Sequence, residues 1–354
     1  MTIPAKPRIA IVGPGFISEY HVNGLRAAGG AEIACLVGRD PVRTGARAAA
    51  LGISRFETDL AAVLSDSGID AAVIATPDAL HKKHAVAALK QGKAVLLQKP
   101  MALDAAQCAD IIAAAQRTTA PLTVSFMHRY FPEVRWLNSM LDDGRLGRVH
   151  TVRIRNATPG ADWADWFFSP ANVSGGVVMQ LGVHGIDLCG HLFGPIAEVG
   201  ARLVTARPRR KLADGREVAV TMEDNVVAQY TLASGALVSH EMSYTEIAGC
   251  DRFRLELYAD HGTVWLRTER GRASMFAPEI TGTDGWVSPD LPDEEDGAAH
   301  HRHWLDIVRR TVEADDTAIA GLTSIVVAEA VYRAAREGRR VAVEMPQIAK
   351  GAGR

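Results

Sequence analysis

The chain has 354 residues, of which 47% are hydrophobic and 23% charged, an ordinary composition for a globular protein of about two domains. Its formal net charge of −2 argues against a nucleic-acid binder that neutralises phosphates. We find no apolar run long enough to cross a bilayer and no secretory signal before the first strand, so we expect a cytoplasmic protein without a membrane partner. The cysteines are scattered, as is typical of free thiols in a reducing compartment: Cys35, Cys108, Cys189 and Cys250.

Residues 1–126 alternate between short apolar strands and amphipathic helices. The predicted strands are 8–12, 33–37, 71–75, 94–97 and 122–126, and the predicted helices are 17–28, 43–51, 60–64, 80–91 and 105–117. This alternation is typical of a parallel sheet covered on both faces. We therefore predict an α/β fold that begins with a doubly wound parallel sheet.

Residues 127–346 have a different character, because strand-like alternation dominates there. The predicted strands are 149–154, 199–204, 224–232, 236–244, 253–258 and 262–267, and the predicted helices are 133–141, 183–193, 300–313 and 324–336. The pattern favours a second α/β domain with a mainly antiparallel sheet, whose last helices are free to pack back on the first domain. We expect a solvated acidic loop at 289–296 and a frayed tail at 347–354.

A glycine loop joins the first strand to the first helix. Gly13 permits a tight turn, and Gly15 lets main-chain N–H groups approach a pyrophosphate at the amino end of a helix that begins with Phe16 and Ile17. Ser18 replaces the usual third glycine and is still small. The loop therefore indicates a dinucleotide site, with an ordinary glycine turn as the alternative.

The end of the second strand bears on the choice of cofactor. NAD-selective sites usually carry an acidic residue here, but this chain has Gly38 followed by Arg39. An arginine can pair with a 2′-phosphate, which favours NADP. The alternative is NAD, with Asp40 on the ribose and Arg39 a surface cation.

Four segments together carry a resemblance to a known family: ATPDALH at 75–81, GKAVLLQKP at 92–100, GGVVMQLGVHGID at 175–187 and EAVYRAAREGRRV at 329–341. They resemble segments of the Gfo/Idh/MocA oxidoreductases, and the likeness covers nearly the whole chain. The resemblance implies a Rossmann domain, a second domain with a large open sheet, and a tightly held nicotinamide cofactor. It also implies a sugar, cyclitol or glycoside substrate, and a homo-oligomer (dimer or tetramer) formed through the open sheet.

The same resemblance assigns roles to individual residues. Lys99 matches the motif lysine beside the nicotinamide, and His184 matches the motif histidine that accepts a proton. The matching cofactor contacts are Thr76, Pro77, His81, Gln98, Lys99 and Pro100. The family also places substrate contacts at the domain junction, where His128 and Arg129 lie. Independently of the resemblance, Trp166 is a candidate substrate contact because an aromatic ring can stack on a sugar, and Gln180 is one by its position.

Two residues depart from the family pattern. Gln98 replaces a glutamate before the lysine, and Gln180 replaces an aspartate four residues before the histidine. An amide keeps hydrogen-bonding capacity but loses the charge. These changes leave room for a glycosidase or eliminase that works by transient oxidation and retains its cofactor, and for a catalytically altered cofactor-binding protein.

The chemistry itself fits a secondary-alcohol dehydrogenase. Such an enzyme needs a hydride acceptor and a base for the hydroxyl proton. His184 suits the base because histidine titrates near neutral pH, and the ammonium of Lys99 can stabilise a developing alkoxide.

Several residues keep a purely structural alternative. Lys99 can be a surface lysine, and His184 can cap the start of a helix or serve packing. Arg129 can tie the two domains through an ion pair, Trp163 and Trp166 can serve packing, and His81 can simply begin a helix. The spacing of His184, Cys189 and His191 does not favour zinc, and the His300 to His303 cluster is expected to be the solvated start of a helix. We therefore expect no metal.

Overall fold

The structure is a computed structural model that describes residues 6–118, 120–247, 252–268, 271–295 and 297–347. It divides into two compact units. The described residues of Met1–Tyr130, Glu294–Leu322 and Pro346–Arg354 form the first unit, and those of Phe131–Asp293 and Thr323–Met345 form the second. Residues 294–322 therefore lie with the amino-terminal part of the chain.

The first part of the chain alternates between strands and helices. Its strands are β1 (Arg8–Val12), β2 (Glu32–Val37), β3 (Phe56–Glu57), β4 (Ala71–Ile74), β5 (Ala94–Leu97) and β6 (Leu122–Val124). Its helices are α1 (Ile17–Ala28), α2 (Pro41–Ala50), α3 (Leu60–Ser65), α4 (His81–Lys90) and α5 (Ala105–Thr118). Residues Met127–Tyr130 add a 3₁₀ turn.

The six strands form one parallel sheet in the order β3-β2-β1-β4-β5-β6. All four residues of β4 and of β5 are buried, as expected for strands covered on both faces. The order reverses direction between β1 and β4, and open α/β sheets bind ligands beyond the carboxyl ends of their strands at such a reversal. The glycine loop follows β1 and therefore lies at this position.

The second part of the chain is dominated by strands. Its helices are α6 (Pro132–Asp142), α7 (Val183–Phe193) and α8 (Pro278–Thr281), and the chain closes with α9 (Ala298–Val308), α10 (Thr317–Glu337) and a last short strand. The strands are β7 (Val149–Ala157), β8 (Ile196–Val204), β9 (Arg209–Lys211), β10 (Glu217–Ala219), β11 (Asn225–Leu232), β12 (Leu237–Ser243), β13 (Phe253–Ala259), β14 (Gly262–Thr268), β15 (Gly271–Phe276), β16 (Trp286–Val287) and β17 (Val341–Ala342).

Nine of these strands form a mixed sheet in the order β16-β15-β14-β13-β7-β12-β11-β8-β17, while β9 and β10 form a separate hairpin. The β7–β12 pair is parallel and the other neighbours are antiparallel. Burial alternates along β11 and β12, so each strand turns one face to the core of the unit. The predicted fold class, a parallel sheet followed by a large, mainly antiparallel sheet, is confirmed.

Helix α9 belongs to the core of the first unit although it is far from that core in sequence. Trp304, Leu305 and Val308 join a buried cluster that includes Ile9 and Leu25. This packing explains why α9 lies with the first unit, since its apolar face is removed from water there.

The expectation that no segment is long and apolar enough to cross a bilayer is wrong. By length and composition α10 could cross a bilayer, and it is the one such helix found among the described residues. In the structure 56% of its most apolar 18-residue window is buried, and the core helix of a folded domain has the same composition.

Candidate functional site

The glycine loop is pressed between the ends of β1, β2 and β4. Gly13 has a φ of +113°, and a Cβ built on it would lie 2.4 Å from the carbonyl oxygen of Ala75. Its N–H donates a hydrogen bond of 2.9 Å to the carbonyl of Val37. Glycine is therefore required here both by conformation and by space.

The loop leaves room where a pyrophosphate would sit. A Cβ built on Gly15 meets nothing within 4 Å, and no described side chain caps the amino end of α1, where Phe16 and Ile17 lie. Ser18 is fully buried and its hydroxyl donates to the carbonyl of Gly15 at 2.6 Å. A helix amino terminus with open space above a glycine fits the phosphates of a dinucleotide.

Arg39 and Asp40, the two candidate contacts to the ribose end of the cofactor, lie just after β2 in different environments. A Cβ on Gly38 would meet Thr44 and Pro14 at 2.4 and 2.9 Å, so the chain passes tightly beside the glycine loop. The carboxylate of Asp40 accepts a hydrogen bond from the N–H of Arg43 at 3.0 Å and caps α2. Arg39 is exposed.

His81 joins the loops that follow β4 and β5. The ring is buried, and its two nitrogens each lie 2.8 Å from a carbonyl oxygen, one of Thr76 and one of Pro100. The residue also begins α4. It thereby holds the segment Thr76–Pro77 beside the segment that carries Lys99.

Lys99 lies at the carboxyl end of β5 and is half-buried. Its N–H donates to the side-chain oxygen of Gln98 at 3.2 Å, and the bond from Lys99 to Pro100 is cis. The structure thus places every predicted cofactor residue at the same edge of the first unit's sheet.

Two residues of the histidine cluster at the start of α9 are buried, contrary to expectation, while Arg302 is exposed and His303 is half-buried. His300 and His301 are 1% and 0% exposed. Their rings pack against Tyr20 and His21 of α1, with ring centroids 5.1 to 6.1 Å apart, and against each other at 4.8 Å. Burial holds the pKa of His300 well below its ordinary value, so the ring packs here without a charge.

No group of metal-ligating side chains was found among the described residues. Burial raises the pKa of the Cys189 thiol to about 12, whereas His191 on the same helix is exposed. Cys35 and Cys108 are also buried and form no disulfide, and Cys250 lies outside the described residues.

His128 and Arg129 are both buried in the first unit. The guanidinium of Arg129 pairs with Asp316 at 2.6 Å. Because both partners lie within the first unit, this ion pair is not the tie between domains that the sequence left open.

In the second unit, the residues around His184 form an unusually tight contact with the sheet. His184 and Gln180 are 2% and 6% exposed, and Gln180 lies in a π-helical turn that leads into α7. A Cβ on Gly182 would meet the sulfur of Met242 at 2.4 Å, and one on Gly185 would meet Asn156 at 2.4 Å. These glycines let the helix lie directly on β7 and β12.

The sequence analysis missed a residue that anchors this segment. The carboxylate of Glu223 accepts hydrogen bonds from the N–H of Val178 at 3.1 Å and from the hydroxyl of Tyr332 at 2.8 Å. Burial raises its pKa. A Cβ on Gly176 would lie 2.0 Å from the carbonyl oxygen of Glu223. In the sequence, the pair Gly175-Gly176 was therefore the one indication that another segment of the chain approaches closely here.

The aromatic loop of the second unit is only partly exposed. Trp163 is 48% exposed and Trp166 is half-buried, and their ring centroids lie 5.6 and 5.8 Å from that of Phe167. An ion pair of 3.0 Å from Arg216 to Asp165 fastens the loop to the β9–β10 region.

Comparisons with known proteins agree with this architecture. Residues 7–126 match the model of an oxidoreductase family with an NAD-binding Rossmann fold, and residues 134–265 match the GFO/IDH/MocA C-terminal domain. The chain belongs to the Gfo/Idh/MocA family of oxidoreductases. The predicted family, fold class and enzyme class are therefore confirmed, and the first domain is an NAD-binding one.

Relatives of this family member include named dehydrogenases. It is 29% identical to a D-apiose dehydrogenase of Paraburkholderia graminis, covering 94% of this chain and 88% of that protein. It is also 29% identical to an inositol 2-dehydrogenase of Streptomyces avermitilis, covering 95% and 94%. Among solved structures, levoglucosan dehydrogenase in complex with NADH superposes with a TM-score of 0.87 at 19% identity, covering 96% and 100%.

Proposed function

We propose that the protein is an NAD(P)-dependent dehydrogenase that moves a hydride between the nicotinamide and a secondary hydroxyl or ketone of a sugar, cyclitol or glycoside. The observation that carries the proposal is the place of Lys99, at the carboxyl end of β5 on the sheet edge that also holds the glycine loop. The relatives named as apiose and inositol dehydrogenases support the substrate class.

The chain's own residues have distinct roles in this proposal. The bound nicotinamide supplies the hydride acceptor or donor. The ammonium of Lys99 donates to the substrate oxygen and stabilises negative charge as it develops there. The imidazole of His184 takes the hydroxyl proton during oxidation and returns it during reduction.

Other residues bind the two ligands. Gly13 and Gly15 admit the pyrophosphate, and Thr76, Pro77, His81, Gln98 and Pro100 form the wall on the nicotinamide side. The substrate contacts are His128, Arg129, Trp166 and Gln180, whose amide can donate to one hydroxyl and accept from another.

Within this NAD-binding fold we propose a preference for NADP over NAD. Asp40 is engaged as the cap of α2, while Arg39 is exposed and follows the end of β2 directly after Gly38. A guanidinium binds a phosphate through paired, charge-assisted hydrogen bonds, which a ribose hydroxyl does not offer.

We further propose that residues 1–126 bind the cofactor, that residues 127–346 bind substrate and mediate assembly, and that the enzyme is a cytoplasmic homo-oligomer. Three apolar side chains support assembly through the open sheet. Val204, Val227 and Leu237 lie on neighbouring strands and are 53%, 54% and 57% exposed.

A polyol panel with purified enzyme and each oxidised cofactor tests the function. We expect the absorbance of reduced nicotinamide to rise with at least one sugar or cyclitol. A Lys99→Met variant should still bind cofactor, but its turnover number should be at least roughly 100-fold lower. Release of an aglycone without net reduced cofactor would instead indicate an eliminase. Cofactor binding without turnover of any polyol or glycoside would contradict both.

A further inference from the structure

A chain of buried hydrogen bonds runs from α9 through α1 to the residue before Lys99. It begins at the carbonyl oxygen of Gly297, which lies 2.7 Å from Nδ1 of His301. Nε2 of His301 lies 2.9 Å from Nδ1 of His21, and Nε2 of His21 lies 2.6 Å from the side-chain nitrogen of Gln98. All of these residues belong to the first unit.

The direction of every bond in this chain follows from its first member. A carbonyl oxygen only accepts, so Nδ1 of His301 carries a hydrogen and, in a neutral ring, its Nε2 accepts. Nδ1 of His21 must therefore donate to His301, which leaves Nε2 of His21 as an acceptor. The residue at position 98 must then donate a hydrogen bond to His21.

Gln98 meets this requirement, and a carboxylate would not. Its amide nitrogen has two hydrogens, one for His21 and one for the hydroxyl of Ser125 at 3.3 Å, and its oxygen accepts from the N–H of Lys99. An ionised glutamate has no hydrogen to donate. It would face a lone pair of His21 unless a proton were added to the histidines.

We propose that Gln98 is a positioning residue, which closes a chain of two uncharged histidines and uses its carbonyl oxygen to fix the main chain of Lys99. The replacement of the family glutamate by Gln98 is thus matched to His21 and His301. The kinetic consequence rests on the proposed role of Lys99, whereas the hydrogen positions in the chain do not.

The surroundings are built to keep this chain in place. A Cβ on Gly24 of α1 would lie 2.2 Å from the His301 ring, so glycine makes the close approach possible. Gly297 has a φ of +81°, in the left-handed region that favours glycine, where it presents its carbonyl to His301. Burial lowers the pKa of His301 to about 4 and holds that of His21 well below its ordinary value.

Long-range ¹H–¹⁵N NMR of protein labelled at histidine nitrogens tests the hydrogen positions. At neutral pH we expect His21 and His301 to be neutral, each with hydrogen on Nδ1 and none on Nε2. In a Gln98→Glu variant we expect the Nε2 signal of His21 to move into the protonated range. A Gln98→Leu variant, which removes the donor without adding charge, should leave His21 protonated at Nδ1.

Kinetics provide the second readout, with Gln116→Glu as the matched control because Gln116 is an exposed glutamine of α5 in the same unit. We expect the Gln98→Glu turnover number to fall roughly 10- to 100-fold because Lys99 shifts, and the control to stay within about twofold. Wild-type His21 with hydrogen on Nε2, or a Gln98→Glu variant with unchanged signals and turnover, would overturn the proposal. Absence of dehydrogenase activity in the wild type would overturn the proposed function but not the assigned hydrogen positions.

Discussion

Single residues at the sheet edge determine what this protein can bind. Gly13 is required by its positive φ and by the carbonyl of Ala75, and this requirement was visible in the sequence because a glycine followed a buried strand. The role of Asp40 as a helix cap is equally local. The partners of Gln98 were not predictable, because His21 and His301 are 77 and 203 positions away from it. No local pattern links residues at such separations.

Arg39 offers a residue-level prediction about cofactor choice. Hydrogen bonds to charged groups contribute about 1.5–3 kcal/mol, so an Arg39→Ala variant should bind NADP roughly 10- to 100-fold more weakly while its affinity for NAD changes little. Fluorescence titration of both reduced cofactors measures this. Arg117→Ala, which removes an exposed arginine from α5, is the control. Equal losses for both cofactors would show that Arg39 does not contact the 2′-phosphate.

At the scale of elements, buried apolar strands were predicted from the sequence more accurately than short or polar strands. The apolar strands β1, β4 and β5 were predicted almost to the residue, because parallel strands buried on both faces are continuous apolar runs. The strands β3, β9, β10, β15, β16 and β17 were missed. β3, β16 and β17 are two-residue strands at sheet edges, and β9 and β10 form a short polar hairpin, so they carry little periodicity. β15 lies between β14 and β16, and its sequence GRASMF shows no clear alternation.

Helix α10 begins at Thr317, seven residues before its predicted start. Gly321 lowers helix propensity in this first part, but a Cβ there would lie 2.9 Å from the sulfur of Met101. The glycine serves close packing, and a sequence cannot distinguish that from a helix break.

The seating of α7 on the sheet supplies a prediction with a control in the same helix. A Gly185→Ala variant should lose about 1–3 kcal/mol of unfolding free energy, because its methyl group would overlap Asn156 and the His240 ring. Gly190→Ala meets nothing within 4 Å and should gain up to about 1 kcal/mol from helix propensity. Urea unfolding measures both. If Gly185→Ala were as stable as Gly190→Ala, the close contact would be refuted.

At the scale of the whole molecule, the sequence predicted two α/β regions and left open whether the last helices pack back on the first of them. The first unit takes up α9, whose Trp304 is fully buried in a core built from residues near the amino terminus. That assignment depends on packing between segments separated by about 300 residues, which periodicity does not encode. The roles proposed for the two regions remain predictions.

The buried histidines predict how global stability depends on pH. Burial holds the pKa values of His21 and His300 well below the ordinary value, lowers that of His301 to about 4, and lowers that of His240 to about 3. The unfolded chain therefore binds more protons than the folded one below about pH 6.5, and stability must fall as the pH falls.

Each such histidine lowers the unfolding free energy by up to about 1.4 kcal/mol per pH unit between roughly pH 6.5 and its folded pKa. Glu223 acts in the opposite direction, because its raised pKa lets the folded protein bind one proton more readily than the unfolded chain does. One carboxyl group offsets the effect of at most one histidine. Urea midpoints measured across this window should fall steadily towards acid. A midpoint independent of pH there would mean that these rings are protonated or exposed in the folded protein.

Hydride transfer by the intact enzyme is tested most directly with a polyol that carries deuterium on the carbon to be oxidised. Mass spectrometry of the reduced cofactor should find that deuterium on the nicotinamide with wild-type protein, and at least roughly 100-fold less after the same time with Lys99→Met or His184→Asn. Unlabelled reduced cofactor, or equal labelling in the wild type and both variants, would contradict the proposed dehydrogenase chemistry.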